Sequence, residues 1–515
     1  MSNLSELLPA GGAAKEFEVV ASGTLPDGKP VILNSDGTVT VVTQSSTAIT
    51  QAVPLGSETT FHSASLYGQT LDYIDVQYDP FNAGRFIVCY TNQANSNYGT
   101  MRVGNTSNGN ITFGSVIVFN SDATYSIACS FDPNTENQFI LTFKANPDAP
   151  QYDGGVVMAG LLNSTNGVTS FGSRVSYLTT PRSYYNKIQF DPLVAGRFVV
   201  IYYDIDGSVK GEAICGNVNS SQTISLGSYV QFSTGTIGDE LSISFDPNTQ
   251  NKFIIIYKAL DNSGYPRAVV GVISGTNTIT FGTAVTFYSG SVGRTHGAYD
   301  PNEANKFVCA YDTGGSSGQC IVGTVSGTTS SFGSSSQFSS DYAAYCEIAF
   351  DPNTAGKFVV FWVNFDSSSD GTVSLGTRSG NSLSYISPIV VNAGSTLNPK
   401  LSFDHKNIGQ FVLAYKDSAD SKKGKAVICQ IAGALITTNL TASNLVGYPT
   451  QAYTNGQTAL IIPQGGVSTN QTSLTAGSTY YVQKDATLAT TADSLVTVVA
   501  GKAISATSLL LKGNS

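Results

Sequence analysis

Phe245-Asp246-Pro247-Asn248-Thr249-Gln250-Asn251-Lys252-Phe253 is the fullest copy of a motif that the chain contains seven times. The motif is an aromatic residue, an Asp, four further residues, a Gly or Asn, a long polar residue and a Phe. The steps between successive motif Asp residues are 53, 59, 55, 54, 51 and 53. Such a period indicates one supersecondary unit used repeatedly. The motif Asp residues are Asp79, Asp132, Asp191, Asp246, Asp300, Asp351 and Asp404.

The motif predicts a β-hairpin turn. Asp opens a type I turn and accepts backbone N–H bonds, and the Pro that usually follows presets φ. The Gly or Asn five residues after the Asp takes the left-handed conformation. The motif Phe then begins an apolar strand such as Phe253 to Tyr257. One carboxylate per hairpin is too few for a calcium loop, so the motif Asp is interpreted as structural, with no metal and no cofactor.

Two more strands recur between the hairpins, as in Ala268 to Val272 and Ile279 to Gly282. Four strands per repeat predict an all-β chain built around a seven-bladed β-propeller, and an open β-solenoid is the less favoured alternative because its rungs are usually shorter. We assign residues 1–47 to an N-terminal arm and β-hairpin and residues 434–515 to a small C-terminal β domain. Residues 48–433 form the propeller, whose last blade the strand after residue 48 completes.

Composition excludes several classes of partner. Charged residues make up 12% of the chain and the net charge is −9, so no basic surface for nucleic acid is expected. No apolar run reaches the roughly 18 residues of a membrane span, and the N-terminus lacks the pattern of a secretory signal. The seven Cys residues form no CxxC pair, which favours buried thiols over disulfides or zinc. We therefore expect synthesis in a reducing cytoplasm.

The two ends carry a family resemblance. Leu7-Leu8-Pro9-Ala10-Gly11-Gly12 and Val20-Ala21-Ser22-Gly23-Thr24-Leu25-Pro26-Asp27-Gly28 resemble the starts of virion structural proteins of marine tailed phages, especially cyanophages. The stretch from Ser473 to Gln483 and the stretch from Val499 to Thr507 resemble a module of phage tail and fibre proteins. The resemblance implies a virion component (tail, fibre or capsid-associated) that contacts other virion proteins through its N-terminal arm and forms a homo-oligomer in the particle.

Catalytic motifs are weak. The chain has one Trp and none of the Ser-x-Asp-x-Gly-x-Thr-Trp boxes of sialidase-like propellers. Gly314 to Gly318 matches GxSxG by letter only, because no helix pattern follows. Three His residues leave few bases for a triad. We predict a protein that is not an enzyme, while a polysaccharide-degrading propeller enzyme, which needs only two carboxylates, and a ligand-free structural connector remain alternatives.

Binding is better motivated than catalysis. With the strand that ends in Asp-Pro innermost, the similar hairpins share one rim and the other rim holds loops that differ between repeats, as recognition loops do. These loops are rich in Tyr, Asn and Asp, which make adaptable contact surfaces. The predicted function is host-surface adhesion or particle decoration, with a host-cell-surface glycan as candidate ligand. The candidate binding residues are Tyr98, Tyr184, Tyr185, Asp204, Asp206, Tyr265, Arg294, His296 and Tyr342.

Overall fold

A computed structural model describes residues 16–48, 50–66, 74–145, 154–165, 167–178, 183–204, 209–431, 434–493 and 496–512. These residues contain strands and two 3-10 turns, Gln93–Asn95 and Leu260–Asn262, and no α-helix. No helix within these ranges has the length and apolarity that crossing a membrane requires. The chain divides into two compact units: Ile49–Gly433, and Met1–Ala48 together with Ala434–Ser515.

The unit Ile49–Gly433 consists of antiparallel sheets, in which each motif turn joins a first strand to a second strand. The first strands are Ile74–Tyr78, Ile117–Phe131, Ser183–Phe190, Ile237–Phe245, Thr295–Tyr299, Ala343–Phe350 and Thr396–Phe403. The second strands are Arg85–Asn92, Gln138–Ala145, Arg197–Asp204, Lys252–Ala259, Lys306–Asp312, Lys357–Asn364 and Gln410–Asp417. The third strands are Tyr98–Ser107, Gly155–Leu162, Lys210–Val218, Tyr265–Ser274, Gly318–Ser326, Asp370–Ser379 and Lys423–Gln430.

Short outer strands complete these sheets by pairing with the third strands. They are Asn110–Phe113, Val168–Phe171, Val175–Ser176, Ile224–Leu226, Val230–Gln231, Thr278–Phe281, Val285–Thr286, Thr329–Phe332, Ser336–Ser339, Ser382–Tyr385 and Ile389–Asn392. Each first strand contacts the first strand of the next repeat, and Thr396–Phe403 contacts Ile74–Tyr78, so these contacts form a closed cycle. The arrangement is all-β and propeller-like.

Two pairings join the sheets along the chain. The strand Ile117–Phe131 pairs first with Tyr98–Ser107 and then, past a bulge, with Gln138–Ala145, so it belongs to two sheets. Val53–Pro54 and Thr59–His62 pair with Lys423–Gln430, which supplies the outer strands of the last repeat from the beginning of the unit. A third strand that would otherwise be an open edge is thereby covered.

The carboxylate of the motif Asp organises each turn. In all seven copies Oδ1 accepts the backbone N–H of the residue two positions later, at 2.8–2.9 Å. The left-handed slot is confirmed, since φ lies between 63° and 75° in every copy. These residues are Gly84, Asn137, Gly196, Asn251, Asn305, Gly356 and Gly409.

The second carboxylate oxygen is bonded in two ways, except in Asp351, whose Oδ2 is buried without a hydrogen-bond partner among the described residues. Asp132 Oδ2 accepts the N–H of Gly196, and Asp246 Oδ2 accepts that of Asn305, each in the next repeat at 2.8 Å. Asp191 instead forms a buried ion pair with Arg197, and Asp300 forms one with Arg378. The turns are therefore bonded into the unit, because a buried carboxylate needs such partners.

The long polar residue of the motif has a role that the sequence analysis did not assign. The Arg85 and Arg197 guanidinium groups donate to the side chains of Asn137 and Asn251, the left-handed residues of the following repeats. Lys252 Nζ donates to Asn305 Oδ1 at 3.0 Å in the same way. Neighbouring turns are thus linked by side chains as well as by backbone bonds.

Apolar packing between successive sheets forms the core. The motif Phe residues are fully buried, and in six repeats the ring lies over a Gly of the third strand, where a Cβ would come within 2.1–2.4 Å of the ring. These glycines are Gly104, Gly160, Gly216, Gly271, Gly323 and Gly376. All seven Cys side chains are buried, as the sequence analysis expected of small apolar groups.

The other unit combines the two ends of the chain that the sequence analysis treats as separate segments. The first sheet has the strand order Phe17–Val20, Thr458–Pro463, Leu445–Pro449, Val31–Leu33, Val39–Val41. The second sheet has the strand order Val467–Ser468, Leu509–Leu511, Val499–Ala503, Thr479–Val482, Leu488–Ala489. A two-stranded sheet pairs Gln44–Ala48 with Ala434–Thr438. Asp36 and Asp485 both accept the N–H of the Thr two residues later, at 3.0 Å. The two ends therefore contain the same turn.

Removal of a motif carboxylate tests the turn bonds. Asp246→Ala deletes the acceptor of two N–H groups, Asn248 and Asn305, and should lower the free energy of unfolding by about 2–4 kcal/mol in urea denaturation. Asn219→Ala is the control, because Asn219 also accepts N–H bonds within its own turn but is exposed. That variant should lose less than about 1 kcal/mol. Equal losses would contradict a role between repeats.

Two equivalent glycines test the contact between sheets. A Cβ on Gly282 would lie 1.8 Å from the backbone oxygen of Thr328 in the next repeat, whereas a Cβ on Gly333 meets no atom closer than 3.6 Å. Gly282→Ala should therefore lower the free energy of unfolding by about 1–3 kcal/mol through overpacking. Gly333→Ala should change it by less than about 0.5 kcal/mol. A similar loss in both variants would refute this account of the sheet spacing.

Candidate functional site

A central cavity of about 340 Å³ is lined by the first strands and their turns. Its lining includes the residues four and two positions before each motif Asp and the residue after it. The first strands are thus innermost, as the sequence analysis assumed. The residues four positions before the motif Asp are Asp75, Ala128, Lys187, Ser242, His296, Glu347 and Lys400. A repeated backbone position therefore places different chemical groups in one cavity.

Three of these groups form a polar chain across successive repeats. The Glu347 carboxylate accepts a bond from the Lys400 ammonium and lies 3.2 Å from His296 Nε2. The other ring nitrogen, His296 Nδ1, accepts the N–H of Ile348 at 3.5 Å. Neutral His296 therefore carries its proton on Nε2 and donates it to Glu347.

Burial and neighbouring charge shift the pKa values of this cluster in different directions. Burial raises the pKa of Asp75 above its ordinary value, although the Lys400 and Lys187 charges and the Cys129 N–H oppose the shift. Burial alone would raise the pKa of Glu347 as well, but Lys400, His296 and Lys187 outweigh it and the pKa is lowered. Burial lowers the pKa of His296. The cavity thus holds two carboxyl groups with opposite shifts.

A second cavity, about 250 Å³, lies where the sequence analysis placed the irregular loops. We call it the rim pocket, and its lining is Lys258, Gly293, Arg294, Tyr342, Ala344, Tyr345 and Phe365. Arg294 and Tyr345 precede His296 and Glu347 by two residues, so the pocket is at the end of these strands away from the motif turns. The fourth, fifth and sixth repeats contribute to it.

Hydrogen bonds to the carboxylates of Asp366 and Asp341 hold the loops that carry the aromatic wall of the rim pocket. The Tyr342 N–H donates to Asp366 Oδ2 at 2.8 Å, and Asn364 Nδ2 donates to Asp341 Oδ2 at 2.9 Å. The Tyr342 and Phe365 rings pack edge to face, with centroids 4.9 Å apart and planes at 87°. Phe365 is 38% exposed, which is high for a Phe. The two rings are therefore positioned before any ligand arrives.

The cationic wall is also fixed. The Arg294 guanidinium lies over the Tyr345 ring, 4.7 Å from its centroid. Buried Asp312 accepts the backbone N–H groups of Gly293 and Arg294 at 2.8 and 2.6 Å. Burial raises the pKa of Asp312, with these N–H bonds acting in the opposite direction. The loop that carries Arg294 is thus bonded to the second strand of its own repeat.

A recurrent β-bulge directs the residues at this end of the first strands. Pairing shifts register between Ala344 and Glu347, and Tyr345 has φ of 54°. The equivalent residues Ser126, Tyr185 and Asn398 have φ of 49°, 57° and 52°. Positive φ at a non-Gly residue costs free energy, and bulges of this kind re-aim side chains.

The structure brings some of the predicted binding residues together. Arg294 and Tyr342 line the rim pocket, whereas His296 lines the central cavity. Tyr184 and Tyr185 are neighbours, and the Lys144 ammonium lies 3.6 Å from the centroid of the Tyr184 ring. The remaining predicted residues do not line either cavity; they are Tyr98, Asp204 and Tyr265, while Asp206 lies outside the described residues.

Sequence reasoning missed Lys258, Tyr345 and Phe365. A signal for Lys258 exists in the motif: it follows the motif Phe by five residues, as Lys144 does, and both lie beside Tyr residues of later repeats. Sequence reasoning also missed the polar chain in the central cavity, although its members share one offset from the motif Asp. Within the described residues, no group of three or more His, Cys, Asp or Glu side chains could hold a metal ion.

Comparison with known proteins supports the fold alone. No family model matches the chain, and no curated protein is significantly similar to it. The BP39L lectin from Burkholderia pseudomallei matches with a TM-score of 0.51 and 12% identity, over 73% of this chain and 99% of the lectin. Sqt1 from Chaetomium thermophilum matches with a TM-score of 0.44 and 13% identity, over 70% of this chain and 83% of Sqt1. Sqt1 from Saccharomyces cerevisiae matches with a TM-score of 0.43 and 9% identity, over 73% of this chain and 100% of that Sqt1.

The polar chain in the central cavity predicts acid sensitivity. Because burial lowers the pKa of His296 in the folded state, the unfolded state binds a proton first as pH falls below about 6.5, and stability is lost. The lowered pKa of Glu347 causes a further loss of stability as pH falls below about 4.3. The raised pKa of Asp75 acts in the opposite direction, because there the folded state binds the proton first. His296→Gln should therefore lose less stability than wild type between about pH 6.5 and 5 in urea titrations.

The control for this prediction is Gln250→Ala, which alters an exposed and uncharged residue of a motif turn. Its stability should follow wild type across the pH range. Parallel curves for His296→Gln and wild type would show that His296 does not contribute.

Proposed function

We propose that this chain is a seven-bladed β-propeller that binds glycans on a host-cell surface as an exposed component of a tailed-phage particle. The rim pocket carries the proposal, because three ordered aromatic rings and two cationic side chains surround a recess of about 250 Å³. Typical pockets for drug-sized ligands have roughly 300–1,000 Å³, so this recess suits a single sugar ring. The seven motif turns and the closed cycle of first-strand contacts support the blade count.

Aromatic rings support sugar recognition for a physical reason. The C–H face of a pyranose ring packs against an aromatic face, while the sugar hydroxyl groups bond to polar side chains beside it. A lectin shares the fold, and this likeness is compatible with glycan binding without carrying it. The place of the chain in a particle rests on the resemblance of its two ends to virion proteins. The unit formed by those ends would contact other virion proteins and assemble the homo-oligomer.

A glycan-cleaving enzyme is the second candidate. The central cavity contains two carboxyl groups, Asp75 with a raised pKa and Glu347 with a lowered one, and opposite shifts are typical of an acid and a base in glycoside hydrolysis. Under our proposal, incubation of the pure protein with host envelope polysaccharide releases no new reducing ends. Release that is abolished by both Asp75→Asn and Glu347→Gln would establish the enzyme instead.

Glycan binding should depend on the aromatic wall of the rim pocket. On an array of host-surface glycans the wild-type protein should bind, and Tyr342→Ala should weaken binding by at least about tenfold because a packed aromatic face is lost. Tyr229→Ala is the matched control, since Tyr229 is 57% exposed and lies outside the pocket. It should bind like wild type. Absence of binding to any glycan would leave the ligand-free connector as the better description.

The virion part of the proposal has a separate test. Electron microscopy and mass spectrometry of purified particles should detect the chain, with the propeller unit as projecting density. Its absence from purified particles would contradict this part and leave the glycan-binding result unaffected.

A further inference from the structure

Side chains link the first strands of successive repeats around the central cavity. Ser244 Oγ accepts the backbone N–H of Tyr299, and Ser242 Oγ accepts that of Gly297, both at 3.0 Å and both in the next repeat. Ser402 Oγ accepts a backbone N–H of the first repeat at 3.0 Å. All three serines line the cavity. Their oxygen atoms therefore already hold neighbouring strands together.

Other polar groups of the lining are used in the same way. Asp75 Oδ2 accepts the N–H of Cys129 at 2.8 Å, and Gln189 Oε1 accepts the N–H of Phe245 at 2.8 Å. Each bond again runs from one repeat to the backbone of the next. The acceptor atoms of the lining are thus largely occupied, so the groups that remain for a bound molecule are mainly donors.

Three serine hydroxyl groups keep a donor for the cavity. A hydroxyl that accepts one N–H still carries its own proton. Ser242, Ser244 and Ser402 are 2%, 8% and 9% exposed, and no group in the described part of the chain accepts their protons. The Gln189 amide nitrogen adds donors of the same kind. Because buried donors without an acceptor are costly, the cavity suits a molecule with several acceptor oxygens.

The charges of the lining cancel. Asp75 and Glu347 supply two carboxyl groups, and Lys187 and Lys400 supply two ammonium groups. Glu347 contacts both Lys400 and His296. Burial lowers the pKa of His296, so its imidazole is neutral at neutral pH. A charged molecule would lose its hydration without meeting a surplus of opposite charge. The acceptor-rich molecule is therefore neutral.

The turn end of the cavity is apolar and reaches the surface. The proline that follows the motif Asp in six repeats lines this end, and each of these prolines is partly exposed. The cavity volume of about 340 Å³ lies at the low end of the roughly 300–1,000 Å³ that is usual for ligand pockets. A single saturated ring with hydroxyl groups at one side and C–H groups at the other matches this lining.

We infer that the central cavity binds one neutral pyranose. The serine hydroxyl groups and the Gln189 amide donate to the sugar oxygens, and the prolines pack on its C–H groups. The inference goes beyond the proposed function, because it assigns a second site that uses no residue of the rim pocket. A free monosaccharide and the terminal residue of a glycan present the same ring, and the experiment separates these two sources.

Calorimetric titration and ligand-observed NMR of the full chain with Tyr342→Ala test this site apart from the rim pocket. The neutral probes are D-glucose, D-galactose and D-mannose, and the charged probes are glucuronate and glucosamine. At least one neutral sugar should bind with Kd on the order of 1 mM and at least about tenfold more tightly than either charged probe. Equal binding of its methyl glycoside identifies the end of a glycan, and binding of the free sugar alone identifies a monosaccharide.

Two equivalent serines separate ligand binding from strand linkage. Ser130 and Ser244 both lie two residues before a motif Asp, and both accept an N–H of the next repeat. The Ser130 hydroxyl, however, already donates to the Phe131 carbonyl at 3.4 Å. Ser244→Ala should weaken sugar binding by about 3- to 10-fold, and Ser130→Ala should leave it within about twofold. Circular dichroism melting confirms that both variants are folded.

Three results would overturn the inference. If none of the neutral sugars binds the Tyr342→Ala chain, the serine donors serve solvent alone, and the array result for the rim pocket is unaffected. If wild type binds a sugar and Tyr342→Ala abolishes that binding, the sugar belongs to the rim pocket. Equal losses of affinity in Ser244→Ala and Ser130→Ala would show that these serines act only by linking strands.

Discussion

The carboxylate of the motif Asp is the interaction on which the rest of the fold depends. One of its oxygens closes the turn between the first and second strands, and in Asp132 and Asp246 the other reaches the next repeat. A buried carboxylate without partners is costly, so this single group couples local turn geometry to the spacing between sheets. In Asp79, Asp191 and Asp300 the second oxygen instead pairs with an arginine: Arg85, Arg197 and Arg378.

The same regularity makes local variation possible. Because the turns hold every first strand in the same position, a substitution at one offset changes chemistry without changing the frame. Four residues before the motif Asp, this offset produces the polar chain of His296, Glu347 and Lys400. Six residues before the motif Asp, the bulged residues have positive φ and carry side chains as different as those of Ser126 and Tyr345. Side-chain variety is therefore concentrated at the end of the strands where the repeats differ.

Much of the fold was predictable because its determinants are local. An Asp, a Pro and a left-handed Gly or Asn at fixed spacing specify a turn from nearest neighbours alone. The candidate site was predictable only in part: Arg294 and Tyr342 were chosen for their loop composition, and they do meet in one pocket. Lys258 was missed because Arg294 and Tyr345, which line the same pocket, lie about 36 and 87 residues later in the chain. Only packing between repeats brings these three residues together.

By itself the sequence determined the repeat, the turns and the left-handed slots. These features depend on residues within about ten positions of one another, where backbone preference and hydrogen bonding decide the conformation. Only the tertiary structure decided which repeats share a cavity, how the long polar residue bonds to its neighbour, and which carboxyl groups shift in opposite directions. Those outcomes depend on burial and on contacts between distant segments, and neither can be read from local sequence.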